Sequence, residues 1–188
     1  VTALFARGSN AVYRFAIGAV IVGGAAALCA PMIYIRTAYG GDVGDQVAQP
    51  VEFDHRHHVR DDGIDCVYCH DTVETSEFAG IPSVERCMGC HGQVWPDSPE
   101  LAPLRASFAT ATPLRWRRVT ALPGHVYFHH GVHVHAGVAC EECHGNVEDM
   151  PRIARAHVMT MNFCLDCHRE RAGSRAIGTL TTCSTCHR

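Results

Sequence analysis

One stretch of the chain is patterned unlike the rest. From Phe15 to Ile35 it reads FAIGAVIVGGAAALCAPMIYI, without a single charge. As a helix it would run about 31 Å at 1.5 Å per residue, close to the hydrocarbon thickness of a bilayer. Gly18, Gly23, Gly24 and the Ala run suit a membrane helix, and Pro31 falls near its end. The run is long for a signal-peptide core and Arg36 follows it directly, so the pattern predicts a retained single-pass anchor rather than a cleaved leader. Beyond Pro50 no comparable apolar run appears. Gly and Pro are common and aromatics few, which predicts short helices separated by turns. In the Pro-rich stretch 93–124, Ser98-Pro99-Glu100 reads as the start of one short helix, with Ser as cap and Pro in the first turn.

Composition changes the picture sharply. The chain of 188 residues carries 11 Cys and 14 His. All Cys but Cys29 fall into five copies of CxxCH: CVYCH, CMGCH, CEECH, CLDCH and CSTCH. Two Cys three apart can form thioethers to the two vinyl groups of one haem, and the adjacent His is delivered to the iron. Zinc and iron–sulfur sites use CxxC pairs two at a time and have no need of a His after each, and five pairs leave one unmatched. The motifs therefore predict five covalently bound haem c. The thioethers would be at Cys66, Cys69, Cys87, Cys90, Cys140, Cys143, Cys164, Cys167, Cys183 and Cys186. The proximal ligands would be His70, His91, His144, His168 and His187. The fold class is then a multihaem cytochrome c, mostly irregular, with short α-helices packed around haems that supply much of the apolar interior. Cys29 lies in the apolar span and reads as a packing residue.

The other His separate by an internal repeat. VEFDHRHHV (Val51 to Val59) lies over VYFHHGVHV (Val126 to Val134), matching Phe53 with Phe128, His55 with His130 and His58 with His133. After a one-residue gap Gly63 matches Gly137, and the Cys66 motif matches the Cys140 motif. Residues three apart on a helical turn project from one face, where two imidazoles can serve two neighbouring haems. His55, His58, His130 and His133 are accordingly the expected distal ligands. His57, His125, His129 and His135 read as polar surface or propionate contacts, with His125 the most apt of them to upset the assignment.

The F-x-H-x-x-H and CxxCH modules resemble the small class III multihaem cytochromes c, in which the two His serve the first two haems of a module. The whole chain resembles the pentahaem, membrane-anchored cytochrome c subunits of bacterial alternative complex III. The resemblance rests on the anchor, modules of two and three haems, PLRWRRVTALPGHVYFHH and MNFCLDCHR; Asn162 and Phe163 stand where Gly and Trp are common in that family. The module boundaries would be 1–40 anchor, 41–92 dihaem module, 93–124 connector and 125–188 trihaem module. The third haem of the second module then needs a further ligand. Met161, three residues before Cys164, is the expected choice, where the resemblance also places a Met; His157 is the alternative, because bis-His ligation dominates such proteins.

The resemblance implies electron relay within a quinol:electron acceptor oxidoreductase, by a subunit that is not catalytic on its own. It implies polytopic quinol-binding membrane subunits, a periplasmic iron–sulfur subunit, a monohaem cytochrome c, or a terminal oxidase joined in a supercomplex. The alternative is a stand-alone quinol dehydrogenase feeding periplasmic reductases. Haem c is attached on the oxidising side, and Arg7 and Arg14 precede the span while Asp42 and Asp45 follow it. Both place the haem domain in the periplasm, anchored in the bacterial inner membrane. A net charge of −3 gives no electrostatic case for nucleic acid. Arg115, Arg117, Arg118, Arg169 and Arg171 are candidate propionate partners or solvated side chains.

Overall fold

The computed structural model describes residues 8–171 and 173–187, so Arg7 lies outside the described residues. The chain divides into two compact units, Val1–Gly41 and Asp42–Arg188. In the first, helix α1 (Ser9–Tyr34, 26 residues) begins ahead of the uncharged run and takes in Arg14. At 1.5 Å per residue its 26 residues span about 39 Å. None of its residues is buried, and it is long and apolar enough to cross a membrane. Arg36 ends it, its guanidinium donating to the Met32 carbonyl at 2.5 Å, where the helix leaves carbonyls unpaired.

The second unit is built of short turns. A π-helical turn (Arg56–Asp61) leads to α2 (Cys66–Cys69) and α3 (Val84–His91). A 3-10 turn (Pro99–Leu101) runs straight into α4 (Ala102–Thr110), so the helix expected from Ser98-Pro99-Glu100 is present with a tighter first turn. Ser98 caps nothing with its side chain; its carbonyl instead accepts the Arg105 guanidinium at 2.8 Å. Then come α5 (His130–His135), α6 (Glu141–His144), a 3-10 turn (Val147–Asp149), α7 (Met161–Arg171), α8 (Ser174–Leu180) and α9 (Cys183–Cys186). Among the described residues extended pairing is limited to two isolated bridges, Val43 with Arg155 and Gln46 with Ala154. The fold is thus mostly helical and irregular, as the sparse pattern implied.

The side-chain core is thin. Val51, Val73 and Leu104 are the buried hydrophobic residues, joined by Ser107, and no described side chain falls below 2% exposure. The chain exposes 13677 Å², where a folded monomer of 20.5 kDa exposes roughly 8,800 Å². Some of the excess belongs to α1, none of whose residues is buried. Polar contacts tie distant parts of the second unit together. The Gln49 amide donates to the Arg117 carbonyl and accepts from the Arg117 N–H, both at 2.9 Å, and fixes the connector to the start of the unit.

The sequence repeat is a structural repeat, and its one-residue gap has a physical form. In the second copy the ligand helix α5 is α-helical; in the first the same turn is π-helical. A π-turn accommodates one extra residue without changing the residues on either side. Both copies then leave the turn through a glycine at positive φ, Gly63 at +69° and Gly137 at +75°, with open space around each. Replacing either with Ala meets no neighbour and costs only the left-handed backbone strain, about 1–2 kcal/mol. Thermal unfolding should register a similar loss for Gly63→Ala and Gly137→Ala. A loss in one copy only would mean that the two turns are not equivalent.

Candidate functional site

Each CxxCH sits on a short helical turn. In α2, Asp65 caps the turn by accepting the Val67 N–H at 3.0 Å, and the chain leaves the helix at His70. Residues three apart on such a turn share a face, so each Cys pair points to one side and the following His swings round beside it. All eleven Cys are unpaired thiols. No three potential ligands converge among the described residues, as a structural zinc site would require.

The His rings face one another in pairs. Ring centroids lie 6.4 Å apart for His130 and His144, 6.1 Å for His133 and His168, and 6.1 Å for His58 and His91. The first two pairs are near parallel, at 6° and 21°, and the third is turned by 67°. Imidazole binds a first-row metal at about 2 Å, and Nε2 lies about 1 Å from its ring centre, so one iron shared by two rings sets their centroids about 6 Å apart. The pairs fit a six-coordinate haem iron between them. His55 and His70 are a fourth neighbouring pair, felt through charge: burial first, then His70 and His58, push the His55 pKa down to about 4. His144 is likewise lowered, by burial and then by His130 and His70. Both rings are therefore neutral, the form that ligates metal.

Backbone carbonyls choose the ligating nitrogen. Nδ1 donates to Gly80 O from His70 (2.7 Å), to Val94 O from His91 (3.2 Å) and to Leu180 O from His168 (3.1 Å). Nδ1 of His58 donates to Asp54 O (3.0 Å), that of His130 to Glu77 O (2.7 Å) and that of His133 to His129 O (2.9 Å). Each bond puts the proton on Nδ1 and leaves the Nε2 lone pair free. His55 differs: its Nδ1 is buried without a partner. Phe53 packs between the ligands of the first copy, 4.8 Å from His55 edge-on and 4.4 Å from His58 stacked. Phe128 repeats both contacts at 4.8 and 4.3 Å with His130 and His133. The repeat marked these Phe; the structure gives them the task of holding two imidazoles at a set angle.

At the fifth motif the neighbouring ring is one of the His that read from sequence as polar surface or propionate contacts. His125 faces His187 with centroids 5.6 Å apart at 22°, and the His187 Nδ1–H donates to the His125 carbonyl at 3.1 Å. Met161 opens α7 with 64% exposure. His157 stacks on Phe163 at 5.3 Å. A signal for His125 existed: in the repeat it falls against Pro50, so it is a ligand-type residue that the second copy has and the first lacks, matching the extra haem motif. His57 stacks on Trp95 at 5.3 Å, and His135 donates to the Gly131 carbonyl at 2.7 Å. Of the candidate arginines, Arg171 pairs with Glu142, Arg169 with Asp166 at 2.9 Å, and Arg118 lies over the Phe78 ring at 5.5 Å.

The thiols shape one another as well. Burial raises the Cys66 pKa and Cys140 adds to it; burial raises Cys87 and Cys69 adds to it. Burial, then Cys167 and Cys164, raise Cys143; burial, then Cys186, raise Cys164. The motifs are thus packed against each other rather than strung apart.

Residues 126–188 match the family described as cytochrome c7 and related cytochrome c. The chain is also 28% identical over 164 residues to the menaquinone reductase, multiheme cytochrome c subunit, of Nitratidesulfovibrio vulgaris, an alignment covering 76% of this chain and 78% of that protein. Facing imidazoles, helical CxxCH turns and a thin side-chain core agree with both findings. The C-terminal third of the chain is thus similar to cytochrome c7 and related cytochrome c, a likeness that implies covalently bound haem c there.

Proposed function

We propose that the chain is a membrane-anchored pentahaem cytochrome c that relays electrons within a quinol-linked oxidoreductase of the alternative complex III type, with α1 as anchor and the haem domain in the periplasm. The observation that carries this reading is that each CxxCH His has a second His set against it. Bound haem would supply a one-electron couple at each site. The residues do the rest. Ten Cys would hold the groups covalently. His70, His91, His144, His168 and His187 would be their motif ligands, with His55, His58, His130, His133 and His125, in that order, as the second ligands. On this reading His125 stands in for the expected Met161 or His157. With every iron so held none would be open to substrate, which suits relay rather than catalysis. Nδ1 bonds to backbone carbonyls keep seven of these ten rings from rotating, so a change of iron charge would meet a largely rigid ligand set.

The connectors suit such a subunit. Exposed apolar side chains such as Tyr127, Phe78 and Trp95 lie beside the motifs. The partners proposed are polytopic quinol-binding membrane subunits, a periplasmic iron–sulfur subunit, and a monohaem cytochrome c or terminal oxidase as acceptor. One observation favours a second reading of direction. The Nitratidesulfovibrio relative is named a menaquinone reductase, which would run electrons toward the quinone instead of away from it.

Three measurements bear on these proposals. Denatured protein should retain five haem masses; four or fewer would remove the pentahaem assignment. The isolated native protein should not bind carbon monoxide, whereas His125→Ala should open one iron to the gas and Met161→Ala should leave the spectrum unchanged. Binding by Met161→Ala alone would return the ligand to Met161. Purified in mild detergent, the chain should bring down polytopic membrane subunits and an iron–sulfur protein. A lone haem protein that reacts with quinol would instead support the stand-alone dehydrogenase.

A further inference from the structure

The order of the motifs along the chain is not the order in which the structure packs them. Four contacts define neighbours. Arg86, just before Cys87, lies over the Tyr68 ring at 5.1 Å and pairs with Asp71 at 2.5 Å, and Tyr68 and Asp71 belong to the Cys66 motif and its exit. Arg171 of α7, four residues past Cys167, pairs with Glu142 inside the Cys140 motif. His168 donates to Leu180 O, three residues before Cys183, and Cys164 neighbours Cys186. The remaining contact joins the two repeats.

That junction is the segment 72–80, which follows His70. Its Gly80 carbonyl accepts the His70 Nδ1–H at 2.7 Å, and its Glu77 carbonyl accepts the His130 Nδ1–H at 2.7 Å. One loop of the first repeat therefore orients a proximal ligand of its own and a distal ligand of the second repeat. Ser76 O accepts the Gly131 N–H at 3.1 Å, and the approach is so close that a Cβ on Gly131 would meet Glu74 O at 2.5 Å. Gly131 is buried, as this approach demands.

Resting on the haem reading above, we propose that the attachment sites form one unbranched row. It runs Cys87–Cys90, Cys66–Cys69, Cys140–Cys143, Cys164–Cys167, Cys183–Cys186, and the 72–80 loop joins the first site of each repeat. The Cys87–Cys90 site, second in sequence, is then an end of the row rather than its bridge. The two ends are the places where a donor and an acceptor protein must dock. At one end the indole of Trp95, 57% exposed, lies 6.4 Å from the His91 ring.

Nuclear Overhauser contacts between haem methyl protons test the order in the full-length, fully reduced protein in detergent micelles. A contact between the haem at Cys66–Cys69 and the haem at Cys140–Cys143 is expected. Contact between the haems at Cys87–Cys90 and Cys140–Cys143 would overturn the row. In Gly131→Ala the junction contact should weaken while the contacts within each repeat persist; an unaltered junction would overturn the role given to the loop. Mass spectrometry of the same sample keeps the two levels apart: fewer than five haem masses would defeat the haem reading itself, whereas five with the wrong contacts defeats only the order.

Discussion

An imidazole has two nitrogens, and a metal can use only one while the other is held. The hydrogen bond from Nδ1 to a backbone carbonyl decides which, and in this protein most of the facing His rings are held that way. The acceptors are Gly80, Val94, Leu180 and His125 for four of the motif His, and Asp54, Glu77 and His129 for three of the rings opposite. A carbonyl can orient a ring only if its own peptide is fixed. Much of the irregular backbone between motifs is fixed for this reason, in the turns after His70 and His91 and in the approach to Cys183. Helix and sheet would use these carbonyls internally; a chain of short turns leaves them free to hold ligands.

The duplication follows from the same need. A ligand pair three residues apart, wedged by one Phe, can serve two irons at once, and using it twice serves four. The two copies differ by one residue, and a π-turn absorbs it at Arg56–Asp61, so that His55 and His58 keep the relation that His130 and His133 have in α5. Where the copies meet, geometry left no room for a side chain, and Gly131 lies against the Glu74 backbone.

What could be read in the sequence was whatever leaves a mark in residue type at fixed spacing. The ten Cys of the CxxCH motifs and their His carry such a mark, as do the F-x-H-x-x-H repeat and the apolar run that becomes α1. His125 reads only as the surface His most apt to upset the assignment, because its neighbour His187 is 62 positions away and the first repeat offers no counterpart against which to compare it. Met161 and His157 are legible by their nearness to Cys164, whereas the facing of His125 and His187 depends on how the chain turns back on itself. The junction was also illegible. It is made by the carbonyls of Glu77 and Ser76, and a carbonyl has the same appearance in every residue.

The thin core gives the last step. Burying apolar area contributes roughly 25 cal/mol per Å², and with Val51, Val73 and Leu104 the buried hydrophobic side chains among the described residues, the protein side chains of the second unit bring little of it. Surface ion pairs such as Arg86–Asp71 and Arg60–Asp149 add at most about 1 kcal/mol each. On the proposed reading the apolar interior would come from covalently attached haem, with the polypeptide as its frame. Iron held by two imidazoles would then tie each motif His to the ring facing it. In this view the long-range pairs, His187 with His125 and His144 with His130, are what bring distant turns of the chain together, and the backbone hydrogen bonds set the angles at which they meet.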